Sequence, residues 1–303
     1  MQMKIVIFGS SGFIGRNLVE SLQQLDEIQE VSLRNSAWKN SINESTEVFI
    51  NLVGKAHDHK GEATEKDYYF ANVDLTKQIF EIFQKSEAKL FIHISSLAAL
   101  EEFESIKPLE ETDECNPISF YGKSKREAEV WLLEQELPND KKLIIVRPPM
   151  VHGSGDKGNL GLLYKLISKG IPYPLSSFNN KRSFISIDNF TFYIKKIIEK
   201  HHLLTNGIYH ISDNDSLSST ELIKIIKGVL DKGVLEIAVP QFLIKGLAKV
   251  GDILPLPLNT KRLKKMTSTL LLSNNKINTV LGINKLPLTA EQGLEKTIKS
   301  FLK

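Results

Sequence analysis

The chain has 303 residues, of which 41% are hydrophobic and 25% are charged, as in an ordinary globular protein. Its 39 basic and 36 acidic residues give a net charge of +3, which is too balanced to indicate nucleic-acid binding. The single cysteine, Cys115, excludes a disulfide framework and a cysteine-based metal site. Neither a secretory signal core nor an apolar run of bilayer length is apparent, so we expect a cytoplasmic protein.

The first 25 residues have the pattern of a buried strand, a glycine-rich turn and a helix. Residues 5–8 are all apolar, as in the strands of parallel sheets, and a helix is predicted over residues 12–25. The turn between them presents free N–H groups and the positive end of the helix to a diphosphate. Three glycines alone also fit a plain strand-to-helix turn, but their place between these elements favours a dinucleotide site. The predicted cofactor contacts here are Gly9, Ser11, Gly12, Phe13, Ile14 and Gly15.

A second strand is predicted over residues 30–34, and its end is where the adenosine ribose of a dinucleotide would pass. An acidic residue at that point binds the ribose hydroxyls and repels a 2′-phosphate, whereas a basic residue accepts the phosphate. The chain has Arg34 and no acidic residue there, which favours NADP(H) over NAD(H). The alternative is a solvated arginine at a strand end.

Further strands are predicted over residues 48–53, 90–94 and 143–146, and the residues after them would face the ligand crevice. Leu52 and Gly54 are predicted to lie against the cofactor, and so is Pro148 after the last of these strands. Ser96 follows the strand at residues 90–94. The histidine within that strand, His93, is predicted to be a core residue.

The segment between the third and fourth strands begins with a polar loop at residues 55–59 and continues as a helix over residues 65–85. The loop has two histidines and a carboxylate but no third well-spaced ligand, so a solvated or substrate-facing loop is favoured over a metal site. In the helix, Asn72 either hydrogen-bonds towards the sheet and the cofactor or is exposed.

Tyr121 and Lys125 lie four residues apart at the start of a helix predicted to end near residue 136, so they share one face. A neighbouring ammonium favours the phenolate and would move the pKa of the tyrosine towards neutrality, as suits a general acid or base. Most pairs at this spacing are surface residues, so the pair alone is weak evidence. The preceding loop, residues 100–117, has seven acidic residues and is predicted to be solvated.

Taken in order, the glycine turn, Ser96, Tyr121 and Lys125 resemble the extended short-chain dehydrogenase/reductase family of the NAD-dependent epimerase/dehydratase type. The resemblance continues through residues 147–153 and 158–159 to residues 181–189, and covers essentially the whole chain. It implies a doubly wound parallel α/β sheet, the Rossmann fold. Residues 1–152 would form the dinucleotide-binding domain, and residues 153–303 mainly a smaller, discontinuous substrate-binding part, with some segments returning to the sheet.

The resemblance also implies roles for single residues. Ser96 would hydrogen-bond the reacting sugar oxygen, Tyr121 would be the general acid/base, and Lys125 would hold the nicotinamide ribose and tune the tyrosine. Asn159 and Arg182 match positions that bind the diphosphate of a nucleotide sugar. The alternative for Arg182 is a loop arginine without a role in binding. Members of the family pair into homodimers through two helices, here residues 65–85 and 121–136.

The sequence departs from one branch of the family directly after Ser96. Sugar 4,6-dehydratases have an extra acid/base pair there, whereas Leu97 and Ala98 cannot transfer protons, which argues against dehydration.

The resemblance instead implies hydride transfer at C4 of a nucleoside-diphosphate sugar. Arg34 and a likeness to UDP-N-acetylquinovosamine 4-reductases favour reduction of a UDP-4-keto-6-deoxy-N-acetylhexosamine by NADPH, in surface-polysaccharide synthesis. The alternatives are a UDP-hexose or UDP-N-acetylhexosamine 4-epimerase with retained NAD, and a non-catalytic NAD(P)-binding regulator.

The second half of the chain is predicted to be a smaller α/β part with several helices and a strand over residues 208–211. Asp188 is expected to cap a helix that ends at residue 200, and Ser218 one that ends at residue 230. Residues 241–258 are the most apolar stretch and either pack as a helix or contact a membrane surface. Because Lys245 and Lys249 are its only basic residues, packing is favoured.

Overall fold

The computed structural model describes residues 2–34, 37–56, 62–156, 159–170, 173–231, 239–254 and 258–302. The strands in this part of the chain are β1 (Lys4–Phe8), β2 (Glu27–Val31), β3 (Val48–Asn51), β4 (Leu90–Ile94), β5 (Lys142–Arg147), β6 (Met150–His152), β7 (Lys181–Arg182), β8 (Phe184–Ser186), β9 (Gly207–His210) and β10 (Leu217–Ser218). The helices are α1 (Phe13–Leu22), α2 (Glu65–Tyr69), α3 (Leu75–Lys85), α4 (Phe120–Leu133), α5 (Asn159–Ser168), α6 (Ile187–Lys200), α7 (Ser219–Leu230), α8 (Gln241–Ile253), α9 (Thr260–Thr267), α10 (Asn275–Leu281) and α11 (Ala290–Ser300). A π-helical turn, Phe70–Asp74, joins α2 to α3.

Six strands form one sheet in the order β2-β1-β3-β4-β5-β9, and every neighbouring pair is parallel. The carboxyl ends of the strands therefore lie along one edge. The order reverses at β1, whose neighbours are β2 and β3, and a crevice at such a point is where ligands bind in open α/β sheets. The predicted doubly wound parallel fold is confirmed.

Apolar side chains cover both faces of the sheet, because alternate residues of each strand point to opposite sides. On one face, Phe49 and Phe91 pack with Phe80 and Phe83 of α3. The other face packs against aliphatic residues of α1, α6 and α10. A separate apolar cluster is built by α5, α7, α8, α9 and α11.

Two strands end earlier than the sequence pattern predicted. β2 ends at Val31 rather than residue 34, and β3 ends at Asn51 rather than residue 53. Both pair with β1, whose last residue, Phe8, faces Val31 on one side and Asn51 on the other. The two neighbours end there because β1 turns away at Gly9.

The helices differ from prediction at their ends and in one interior turn. α1 ends at Leu22 rather than near residue 25, and α4 at Leu133 rather than near residue 136. The predicted helix over residues 65–85 is present but contains the π-turn. Ser186 rather than Asp188 caps α6, since its hydroxyl accepts from the Asn189 N–H at 3.2 Å. Ser218 caps α7 as predicted.

The acidic loop at residues 100–117 is only in part the solvated segment that its composition predicted, since Glu104, Glu110 and Glu114 are exposed. Glu102 and Phe103 are buried. The N–H of Ser105 donates to the Thr269 carbonyl at 2.8 Å, and that of Leu109 to the Leu271 carbonyl at 2.9 Å. The loop packs against residues 269–273 because it lies between the sheet and the second half of the chain.

The prediction that residues 241–258 form a packed helix is wrong for most of its side chains. α8 forms, but it buries Ile244, Ala248 and Gly251 and leaves its larger apolar residues exposed. Among the described residues, no helix has the length and apolar character that crossing a membrane requires.

Candidate active site

The glycine turn after β1 has the shape that a dinucleotide diphosphate needs. Gly9 has φ +83°, and a Cβ there would lie 3.0 Å from the Leu52 carbonyl carbon. A Cβ at Gly15 would lie 2.6 Å from Ser10 Cα, so this glycine lets α1 pack on the turn. A Cβ at Gly12 would meet the Gly9 oxygen at 3.4 Å, an ordinary protein contact, and Gly12 itself is exposed. The turn is therefore open on the side where a diphosphate would lie, and it fits the group.

The other predicted cofactor residues of this region lie around the same edge of the sheet. Ser11 is exposed, whereas Phe13 and Ile14 begin α1 and pack partly against the core. Arg34 is exposed and lies three residues past the end of β2. The N–H of Leu52 donates to the Phe8 carbonyl at 2.9 Å, which holds the chain after β3 beside the turn.

Asn72 connects the segment after β3 to α4. It lies in the π-turn and is fully buried. Its side-chain oxygen accepts from the Lys55 N–H at 2.8 Å, and its amide donates to the Ser124 hydroxyl at 2.8 Å. Ser124 in turn donates to the Tyr121 carbonyl at 2.9 Å. Of the two alternatives for Asn72, hydrogen bonding rather than exposure is what the structure has.

Lys125 is buried and points to the carboxyl end of β4. Its ammonium donates to the Ile94 carbonyl at 2.9 Å. A Cβ at Gly54 would lie 3.0 Å from Lys125 Nζ, so the absence of a side chain at Gly54 leaves room for the ammonium. Burial lowers the pKa of Lys125 to about 8, although the negative charge of Glu129 by itself would raise it.

Tyr121 and Ser96 are brought together, and their hydroxyl groups are close enough for Ser96 to influence the pKa of the phenol. Gly122 allows this approach, because a Cβ there would lie 2.6 Å from Glu102 Oε1 and closer still to the Ala98 carbonyl oxygen. Ser96 is fixed further by the N–H of Ala98, which donates to its hydroxyl at 3.2 Å.

The predicted pKa shift of Tyr121 is wrong in sign. Burial raises the pKa of the phenol, the Ser96 hydroxyl lowers it, and the charge of Glu102 raises it. The Lys125 ammonium does not counter the burial, because it is directed at the Ile94 carbonyl. The phenol therefore holds its proton at neutral pH.

Glu102 orients the start of α4 and was missed in the sequence. Its Oε1 accepts from the N–H groups of Ile118 at 3.0 Å and Ser119 at 2.7 Å, directly before Tyr121. Its Oε2 lies 3.6 Å from the Lys265 ammonium of α9. An acidic residue in an acid-rich loop gives no sequence signal for such a role.

Glu129 is a second residue that the sequence analysis missed. It is fully buried and accepts from Arg147 through Nε at 2.7 Å and Nη2 at 2.6 Å, and from the Ser95 hydroxyl at 2.6 Å. This joins α4 to the ends of β4 and β5. A signal was available, because residues 121, 125 and 129 repeat at helical spacing and share one face.

Pro148 closes the edge between β4 and β5. Its carbonyl accepts from the Leu97 N–H at 2.8 Å, one residue past Ser96. The strand ends and the serine turn are thus held together by main-chain bonds.

Arg182 lies in the second half of the chain and reaches α9. Its Nη1 donates to the Lys265 carbonyl at 2.9 Å, and burial lowers its pKa. Its strand bridges to Leu270, which packs with Leu97 and Leu100 beneath the serine turn. The Asn159 side chain lies outside the described residues.

His93 is a core residue, as predicted. It is fully buried, its Nδ1 lies 3.2 Å from the Asn51 amide nitrogen, and burial lowers its pKa well below the usual value. The residues that the structure describes contain no group of three or more side chains that could hold a metal ion. The His57–His59 segment lies outside them.

The family model described as "NAD dependent epimerase/dehydratase family" matches residues 5–212. The chain belongs to this family. It is therefore an enzyme of the epimerase, dehydratase and reductase type, in a family that binds NAD or NADP.

Two curated relatives match the chain over nearly their whole lengths. It is 31% identical to a Vibrio cholerae UDP-glucose 4-epimerase, covering 100% of this chain and 96% of the relative. It is 24% identical to the Escherichia coli O157:H7 N-acetyl-alpha-D-glucosaminyl-diphospho-ditrans,octacis-undecaprenol 4-epimerase, covering 99% and 95%. Among solved structures, the Bordetella bronchiseptica enzyme WbmG in complex with NAD has a TM-score of 0.77 at 14% identity, covering 99% of this chain and 94% of the other.

Proposed function

We propose that this member of the family transfers hydride at C4 of a hexose joined to a diphosphate. The first candidate reaction is the reduction by NADPH of a UDP-4-keto-6-deoxy-N-acetylhexosamine in surface-polysaccharide synthesis. The observation that carries the proposal is the pair of hydroxyls on Ser96 and Tyr121, with buried Lys125 one helical turn away. All three lie at the carboxyl edge of the sheet, beside the glycine turn.

The residues of the site divide the work as follows. The turn at Gly9, Gly12 and Gly15 would hold the cofactor diphosphate, and a bound nicotinamide supplies or accepts the hydride. Ser96 donates a hydrogen bond to the C4 oxygen, and Tyr121 delivers the proton to that oxygen. Such positioned proton transfer contributes roughly 10²–10⁴-fold in rate. Lys125 and the Asn72 network hold the tyrosine-bearing helix against the strand ends.

Two features support reduction over oxidation as the first step. The phenol of Tyr121 has a raised pKa and carries its proton at neutral pH, which suits donation to a developing alkoxide. Arg34 is exposed near the end of β2, where its guanidinium suits a 2′-phosphate. Both fit an enzyme that takes NADPH from solution.

The second candidate is 4-epimerisation with retained NAD. It is favoured by the curated 4-epimerases that match the chain along its whole length. The cofactor released from freshly purified protein separates the two: bound NAD favours the epimerase, and an empty site that takes up NADPH favours the reductase.

Replacement of Tyr121 by Phe tests the chemistry itself. We expect turnover of a UDP-4-keto sugar to fall at least about 100-fold, with NADPH binding unchanged, because the phenol supplies the proton. Tyr69→Phe is the matched control, since it removes a phenol that interacts with Glu127 on the outer side of the helix pair. Retained turnover in Tyr121→Phe would count against the proposal.

We also propose that the protein is a homodimer formed through the helices around α3 and α4. Their outward residues include the apolar side chains Phe70, Val130 and Leu133, which are 56%, 36% and 44% exposed. Sedimentation of Leu133→Lys tests this, and an unchanged mass would contradict it.

A further inference from the structure

α8 divides into three longitudinal faces. One face is buried and consists of Ile244, Ala248 and Gly251. The chain returns tightly across that face, because a Cβ at Gly251 would clash with the Leu258 carbonyl. The large apolar residues of the helix lie elsewhere on it and are exposed. They are Phe242 (71%), Leu243 (53%), Leu247 (54%), Val250 (45%), Ile253 (86%) and Leu254 (52%).

These six exposed residues, which we name the α8 apolar face, form one continuous stripe. At about 100° per residue, they occupy an arc of about 140° that is centred well away from the buried stripe. Lys245, Lys249 and Asp252 occupy a separate arc of about 60° that borders the apolar arc at Phe242. A surface helix normally buries its apolar stripe and exposes a polar one, so a second apolar stripe in solvent indicates a binding surface.

The helix that carries the α8 apolar face, and α9 packed on it, are strongly positive. Residues 241–267 contain six basic residues and one acidic residue, a formal charge of +5. The whole chain sums to +3, so the remainder is slightly negative. Of these basic residues, Lys264 pairs with Glu104 at 2.8 Å and Lys265 with Glu102 at 3.6 Å. The one acidic residue, Asp252, accepts from the Thr260 N–H at 2.9 Å. The positive charge of the chain is therefore concentrated on α8 and α9.

We infer that the α8 apolar face docks on an anionic bilayer surface. A helix of 13 residues is about 20 Å long, too short to cross a bilayer, but suited to lie in the interface with its apolar face among the acyl chains. Lysines beside that face reach the headgroups while their alkyl stems cover apolar surface.

The charge also decides between a membrane and a second copy of the chain. A symmetric contact through α8 would bring the same patch of both copies together. Both copies would then present a positive surface, even with Lys264 paired to Glu104 and Lys265 to Glu102, and like charges across an interface are unfavourable. Anionic lipid supplies the opposite charge.

Docking at α8 places the membrane one helix away from the proposed active site. α9 packs on α8, its Lys265 ammonium lies 3.6 Å from Glu102, and its Lys265 carbonyl accepts from Arg182. If the enzyme has the proposed function, docking positions it for a sugar whose diphosphate is carried by a membrane lipid. This step alone rests on the proposed function.

Flotation with lipid vesicles tests the docking without any substrate. The full chain is mixed with vesicles of phosphatidylcholine and phosphatidylglycerol in equal parts, or of phosphatidylcholine alone. We expect binding to the anionic vesicles that weakens as salt is raised. Phe242→Glu/Leu247→Glu should lower the binding at least about tenfold, because apolar burial and charge attraction both contribute. Leu25→Glu/Leu203→Glu, at apolar positions that are 62% and 50% exposed elsewhere, is the control and should bind as the wild type does.

Three outcomes would overturn the inference: wild-type protein that does not float with anionic vesicles at low salt, equal loss in both double variants, or oligomers that dissociate in Phe242→Glu/Leu247→Glu while no vesicle binds. The last would identify a contact between copies. Turnover of a soluble UDP-4-keto sugar is measured in parallel. Unchanged turnover with lost flotation separates the docking from the proposed function. Absent turnover with retained flotation rejects the soluble UDP-4-keto sugar as the substrate and leaves the docking standing.

Discussion

Replacement of Gly122 by Ala tests whether the approach of Tyr121 to Ser96 depends on a missing side chain. A Cβ at residue 122 would lie 2.6 Å from Glu102 Oε1 and closer to the Ala98 carbonyl oxygen, whereas an unstrained contact is about 3.5 Å. The main-chain oxygen cannot move aside as a flexible side chain would. The first turn of the helix must therefore shift by an amount on the order of 1 Å.

A shift of that size acts on both stability and rate. Overpacking of this kind costs about 1–3 kcal/mol of the free energy of unfolding. A misplacement of about 1 Å in a catalytic group can cost about 100-fold in rate. We therefore expect Gly122→Ala to lower kcat about 100-fold while NADPH binding at the glycine turn is retained.

The assay follows NADPH absorbance with a UDP-4-keto sugar and measures unfolding in urea. Gly228→Ala is the matched control: it also lies inside a helix, no atom comes within 4 Å of its added Cβ, and alanine there should raise stability by up to about 1 kcal/mol. Wild-type kcat and unfolding midpoint in Gly122→Ala would refute the reasoning, because the clash would then have been relieved without moving the tyrosine.

Three further predictions concern buried charges. Glu129→Ala should lower the free energy of unfolding, measured in urea, by about 3–5 kcal/mol, because it leaves the Arg147 guanidinium buried without its carboxylate. The double variant Glu129→Ala/Arg147→Met removes both charges and should regain most of that free energy. The pKa of Lys125 falls from 10.5 to about 8 on folding. Between these pH values the unfolded chain binds one more proton than the folded chain, so the free energy of unfolding rises with pH, by at most about 1.4 kcal/mol per pH unit. Lys125→Met should remove this rise. Burial lowers the pKa of His152 from 6.5 to about 4, so its contribution to stability is lost as pH falls through that window, and His152→Gln should flatten that part of the stability profile. If either variant keeps the wild-type slope over its window, the assigned group is wrong.

The parallel sheet and the glycine turn were predictable from the sequence because their signals are local. The buried strands are mostly apolar, and the turn that passes close to its neighbours has glycine at fixed spacing, at Gly9 and Gly15. The helix that carries Tyr121 and Lys125 was predictable for the same reason, since four-residue spacing places two side chains on one face.

What could not be predicted depends on partners that are distant along the chain. Glu102 was predicted to be solvated because its loop is acidic. Its hydrogen-bond donors, the N–H groups of residues 118 and 119, reach it only once the loop has folded. The pKa of Tyr121 was predicted from Lys125 by spacing, but the direction of the ammonium was decided by the Ile94 carbonyl. The apolar residues of α8 led to the prediction of a buried helix. Composition indicates that apolar residues need a partner surface, but not whether that surface belongs to the same chain.

The π-turn at Phe70–Asp74 inserts one residue into the helical segment between β3 and β4, compared with a continuous α-helix of the same length in space. One residue is about 100° of rotation, so without it the parts before and after the turn would be out of phase. In phase, Asn72 faces the site while Phe80 and Phe83 face the sheet. Deleting one residue there would force a choice between the two sets of contacts. The helix is therefore expected to tolerate substitution on its exposed side far better than any change in its length.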